Sequence, residues 1–213
     1  MCSSDLLGLD NPTLGSDASI ATDTTPVADV AADVPPGFTM VSFQQGTAGY
    51  SQGHDTYIDA GSPNASRGQD SRLRYRNNAR WALIWFDGIF GSTQIPPGAE
   101  IQSAHLTIEV DQAGSTADLV EVTVPWDETT TYSTFGPTSG VDTTDLGPSV
   151  ATIAQQPTSQ TLDVSASLRS WSLDPTKNNG WITVAATGTD SQVRSNDDGL
   201  VMQRPHLVVV FKQ

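Results

Sequence analysis

From Phe38 onward, short β-branched and aromatic runs recur between breaks rich in Gly, Pro, Asn and Ser, and that punctuation limits the fold more than any other feature. FTMVSFQQG, DTYIDAG, SRLRYR, WALIWFD, SAHLTIEVD, DLVEVTVPW, GWITVAATG and PHLVVVFK each have the length and residue types of a strand. The chain's 18 Gly and 13 Pro supply the turns between them. GWITVAATG and PHLVVVFK are apolar without alternation, as strands buried on both faces are. No helices alternate with the strands, which argues against a parallel βαβ sheet. The pattern predicts an all-β fold, an antiparallel two-sheet sandwich of jelly-roll type with at most one short helix. That helix is expected within QTLDVSASLRSWSLD, where Val164, Leu168 and Trp171 are spaced by four and three, with Asp163 or Ser165 as its cap. The Gly- and Thr-rich stretch from Asp127 to Pro148 reads as a long surface loop.

The first 37 residues differ in kind. They hold six Asp and no Lys, Arg, Trp, Tyr or Phe. Such a segment buries too little apolar area to offset its ordering entropy, so residues 1–37 read as an acidic tether and 38–213 as the folded domain. Cys2 is the sole cysteine, which excludes an intramolecular disulfide and a Cys-based zinc site. A cysteine next to the start, ahead of a polar run, reads as the acylated residue of a bacterial lipoprotein, so the expected location is extracytoplasmic, with membrane contact only through that lipid. Residues 18–30 carry enough β-branched side chains to add as an edge strand to a neighbouring copy, the basis of an alternative role as an assembly subunit of a surface fibre.

Charge is distributed unevenly. The formal net charge is −14, from 10 Lys and Arg against 24 Asp and Glu, and no nucleic-acid partner is expected on such a body. Yet Arg72, Arg74, Arg76 and Arg80 fall together within DSRLRYRNNARWALIWFD, with Arg67 just before them. Side chains alternate along a strand, so Arg72, Arg74 and Arg76 share one face and Leu73 and Tyr75 the other. Same-face neighbours stand roughly 7 Å apart, of the order of a sugar unit. Planar guanidinium groups at that spacing suit the carboxylates of a uronic-acid chain, and Arg80 could join them after the turn. The competing reading is that the same arginines pair with the protein's own Asp and Glu.

Several elements together resemble a known family. DTYID is followed by RWALIWFD, then by a turn and strand that keep Ile95, Pro96, Gly98, Ala99, Ile101, Ser103, Ala104 and Leu106. Trp126, Glu128 and Tyr132 come later, then Asp163, Val164, Ser165, Trp171, Asn178, Asn179 and Gly180, then Arg204, Pro205, Leu207 and Val209. In this order, over residues 38–213, the chain is similar to the DNRLRE-domain family, related to disaggregatase repeats and to family 96 of carbohydrate-binding modules. Asp70, Arg72, Leu73 and Arg74 echo the eponymous motif, while Tyr75 stands where it has Glu, and SNDDG replaces a Ser-Glu pair near the last strand. The resemblance implies a β-sandwich accessory to secreted or surface proteins, some members of which bind acidic polysaccharide such as alginate.

Catalytic signals are weak. His54, His105 and His206 are scattered and fit no metalloprotease, nucleophile-elbow or phosphate-loop pattern. Asp127 and Glu128 are adjacent and so face opposite ways in an extended segment, unlike two carboxylates flanking a glycosidic bond. Trp81 and Trp85 share a face with Leu83, which reads as packing rather than a sugar platform. SNDDG at 195–199 reads first as a turn, with a structural calcium as the alternative; no cofactor is required. The expectation is a non-catalytic extracellular module that binds an anionic polysaccharide.

Overall fold

The computed structural model describes residues 34–213; Cys2, strand addition over residues 18–30 and nearly all of the tether lie outside them. The domain is the expected antiparallel two-sheet sandwich. Its elements are β1 (Thr39–Gln44), β2 (Gly53–Asp59), β3 (Arg72–Tyr75), β4 (Arg80–Phe86), β5 (Glu100–Gln112), β6 (Ala117–Val122), β7 (Leu146–Ile153), β8 (Ser159–Asp163), α1 (Ser165–Leu173), β9 (Trp181–Ala185), β10 (Ser191–Arg194) and β11 (His206–Lys212). One sheet runs β1-β11-β5-β10-β3, with β8 also on β5, and the other runs β2-β4-β9-β6-β7. Up to β6, successive strands join the two sheets alternately, as a jelly roll requires. The turn Asn77–Ala79 carries the chain from β3 in one sheet to β4 in the other, with Asn78 at φ +53°.

β11 lies between β1 and β5, and β9 between β4 and β6, so both continuous apolar runs are central. Alternation places Ala104, Leu106, Ile108 and Val110 of β5 in the core between the sheets, where they meet Leu207, Val209 and Phe211 of β11. β4 has no polar side because it is buried on both. Ala82, Ile84 and Phe86 face the other sheet, while Trp81 and Leu83 belong to a second apolar layer with Ile182, Trp126 and Phe135. The long Thr- and Gly-rich segment after β6 supplies Trp126 and Phe135, so it is the lid of that layer as well as a surface loop. Trp81 and Trp85 do share a face with Leu83, and it is this covered outer one.

The helix falls where its spacing places it. Val164, Leu168 and Trp171 are buried, and Trp171 lies 4.9 Å from Trp181, whose indole N–H donates to Ser167 Oγ at 3.0 Å. Its cap is Val164; Asp163 instead accepts the N–H and the hydroxyl of Ser165. Three strands depart from the sequence reading. β7 begins at Leu146, inside the expected loop, β8 occupies the first part of the segment assigned to the helix, and β10 is a four-residue strand. β10 and β11 pair with successive stretches of β5, separated by the loop from Ser195 to Pro205. That loop and β3 position the groups described next.

Candidate functional site

β3 pairs antiparallel with β10 in a register that sets Arg72 opposite Arg194 and Arg74 opposite Gln192. Leu73 and Tyr75 are fully buried, so the arginines between them turn outward as alternation demands. Two neighbouring cations would repel, and the fold answers with two carboxylates. Arg72 Nε donates to Asp111 Oδ2 at 2.6 Å, and its Nη1 to Asp198 Oδ2. Arg194 Nη2 donates to Asp111 Oδ1 at 2.6 Å, and its Nη1 to Asp198 Oδ2 at 2.9 Å. The four side chains close a ring. The hydrogen bond from Arg72 is the first cause holding the Asp111 carboxyl below its ordinary range. Burial pushes Asp198 up, but the Leu200 N–H, Arg194 and Arg72 outweigh it and leave it low.

Arg80 is similarly occupied. Its Nε donates to Asp59 Oδ2 at 3.0 Å and its Nη1 to Asp190 Oδ1 at 2.7 Å. Asp59 is its register partner on β2, which explains the first pair. Arg76 reaches the same Asp190 only at 4.0 Å, with its side chain 46% exposed. Arg74 differs from all of these. Among the described residues it has no ion-pair or side-chain hydrogen-bond partner, and its Nε is buried without an acceptor. Arg67 completes this group: its guanidinium carbon stands 5.6 Å over the Tyr57 ring, Asp70 is 3.9 Å away, and its Nε is also unpartnered. Burial pushes the Tyr57 hydroxyl up, and the charges of Arg67 and Arg74 both oppose that rise, so the two stand near the same ring. Of the four arginines singled out by spacing, Arg72 and Arg80 are therefore held by internal carboxylates. Arg74 has no carboxylate partner among the described residues, while Arg76 and Arg67 hold theirs only at 4.0 and 3.9 Å.

The residues that close the ring were not visible in the sequence as partners. Asp111 and Asp198 lie 39 and 126 positions from Arg72, and only the pairing of β3, β10 and β5 brings them together. Glu128 and Asp127 do diverge. Asp127 Oδ1 accepts the N–H and hydroxyl of Thr129, whereas Glu128 meets His54 at 3.6 Å and is pushed up by burial. His54 also lies 5.2 Å from Trp85, which stands 5.9 Å from Trp126, a half-covered aromatic row on the outer side of β2 and β4. His206 is lowered by burial. Among the described residues no helix is long and apolar enough to cross a membrane. Comparison with protein-family models finds no match to this chain, and a search of curated proteins finds none either.

Proposed function

We propose that this domain is a non-catalytic module that binds anionic polysaccharide through Arg74, Arg76 and Arg67, on an extracytoplasmic protein anchored by lipid at Cys2. The observation that carries the reading is Arg74. On a chain with net charge −14, a half-buried guanidinium without a carboxylate among the described residues is unexpected, because partners are abundant. A buried, unpaired donor costs about 1–3 kcal/mol, so the fold keeps this guanidinium at a cost that no carboxylate among the described residues offsets. Arg offers a planar fork to such a group, and Arg76, two residues along the same side, offers a second one roughly 7 Å away. A polymer with one carboxylate per sugar meets that spacing.

The ring around Arg72, on the same face of the strand, serves the same end. It fixes β3 against β10, so Arg74 is presented from a braced strand rather than a loop. The resemblance to DNRLRE domains, in which some members bind alginate, supports the same ligand class. The test is a glycan array of polyuronates, sulfated glycans and neutral glucans, read at low salt and at physiological salt. Retention of polyuronates that weakens with salt is expected, since exposed charge pairs are screened beyond about 8 Å at 0.15 M. Binding to neutral glucans alone would instead assign the ligand to the row of His54, Trp85 and Trp126.

A further inference from the structure

At the seam between the two sheets, three buried polar atoms lack partners among the described residues. Asp55 shares the inward side of β2 with Tyr57 and is fully buried. Its Oδ2 accepts the backbone N–H of Asn196, while its Oδ1 meets no donor. Asn196, in the loop between β10 and β11, is 4% exposed, and neither its Oδ1 nor its Nδ2 has a partner. Its amide is wedged against the backbone of β2, where a Cβ on Gly53 would stand 3.0 Å from Nδ2. Buried polar groups in folded proteins are almost always paired, so a gap shared by a carboxylate and an amide marks a missing water or ion.

The surrounding charge favours a cation. Burial first of all pushes the Asp55 carboxyl well above its ordinary range; the charges of Asp197 and Glu128 push the same way and Arg204 opposes them, so a bound cation would offset the cost of its charge. Arg204 has its guanidinium committed to the backbone carbonyls of Asp198 and Gln45. We propose that this seam binds a divalent cation of the calcium class, with Asp55 Oδ1 and Asn196 Oδ1 as buried ligands and Glu128 and Asp197 as rim charge. Among the described residues no three His, Cys, Asp or Glu converge as a metal centre, so a cation here would depend on the Asn196 amide beside the buried carboxylate, with backbone carbonyls or water supplying its remaining oxygens. Oxygen-only donors in an irregular arrangement suit calcium, which tolerates varied geometry, better than magnesium, which demands an octahedron. The ion would tie β2 of one sheet to the Ser195–Pro205 loop of the other. Asp198, two residues beyond Asn196, holds Arg72 and Arg194, so the same ion would stiffen the arginine ring.

The full chain, freed of ions with EDTA, is titrated with calcium and with magnesium while heat release and melting temperature are followed. One saturable class of calcium sites is expected, with a melting temperature that rises with calcium concentration and a smaller effect of magnesium. Asp55→Asn keeps an acceptor for the Asn196 N–H but removes the charge, and should weaken calcium about tenfold or more. Asn196→Asp places a second carboxylate at the seam; it should melt below the parent in EDTA and gain more from calcium. Failure of millimolar calcium to bind saturably or to raise the melting temperature overturns the proposal, and leaves an ordered water in the gap. Equal calcium binding by Asp55→Asn also overturns it, because the ion would then sit elsewhere on the acidic chain.

Discussion

Replacing Arg72 by Ala should destabilise the domain, whereas replacing Arg74 by Ala should not, although the two residues share a strand and a face. Arg72 makes charge-assisted hydrogen bonds to Asp111 and Asp198, and also donates to the Ser71 carbonyl at 2.7 Å. A hydrogen bond to a charged group is worth about 1.5–3 kcal/mol when removed, and a fully exposed pair about 0–1 kcal/mol. The Arg72 side chain is 24% exposed and that of Asp198 is 4%, so this pair lies nearer the first limit. Arg194 still holds both carboxylates in the variant, which limits the loss to about 2 kcal/mol. For a domain of this size that lowers the melting temperature by about 4–8 °C. Arg74→Ala removes no partner among the described residues and relieves a buried, unpartnered Nε, so it should leave stability unchanged or raise it by up to about 1–3 kcal/mol. Urea denaturation and thermal melting by circular dichroism at neutral pH measure both variants. Equal effects, or a larger loss for Arg74→Ala, would refute the division between bracing and uncompensated arginines.

Other consequences follow from the same contacts. Asp111 has a folded pKa below its unfolded value of about 3.9, so its stabilising contribution is present above that pH and is lost as pH falls through the folded value. Acid melting should be shallower below about pH 4 in Arg72→Ala than in the parent, as measured by melting temperature against pH. Gly180 sits at φ +69°, and a Cβ there would lie 2.3 Å from the Ile84 carbonyl, so Gly180→Ala should cost more than about 2 kcal/mol in denaturant titration. Trp181→Phe strands the Ser167 hydroxyl and leaves a gap against Trp171, a loss of about 1–3 kcal/mol by the same assay.

The fold was legible wherever burial writes itself into local pattern. The run HLVVVF declares a central strand, although its outer side is only half-covered at His206 and Val208, and Val164, Leu168 and Trp171 mark a helix by spacing alone. β7 was not legible, because Leu146–Ile153 contains Gly147 and Pro148, residues that locally favour a break. β8 adjoins the helix without a turn signal, and β10 is too short to show a period. The candidate site was half legible. Alternation gave the common face of Arg72 and Arg74, but partnership is a long-range property. Asp198 meets Arg72 across 126 positions and Asn196 meets Asp55 across 141, and nothing local encodes either pair. Spacing therefore marked where cations gather, and only the register of three strands distinguished Arg72 from Arg74.

The most direct measurement is affinity electrophoresis of the full chain through gels containing polyguluronate or polymannuronate, alongside Arg72→Ala, Arg74→Ala and Arg74→Ala/Arg76→Ala. The parent should be retarded in proportion to polyuronate concentration, less so as salt rises. Arg74→Ala should lose most of that retardation and the double variant all of it, while both melt at or above the parent temperature. Arg72→Ala should bind more weakly only to the extent that β3 loosens. Retardation that survives the double variant, or an unretarded parent, would contradict the account.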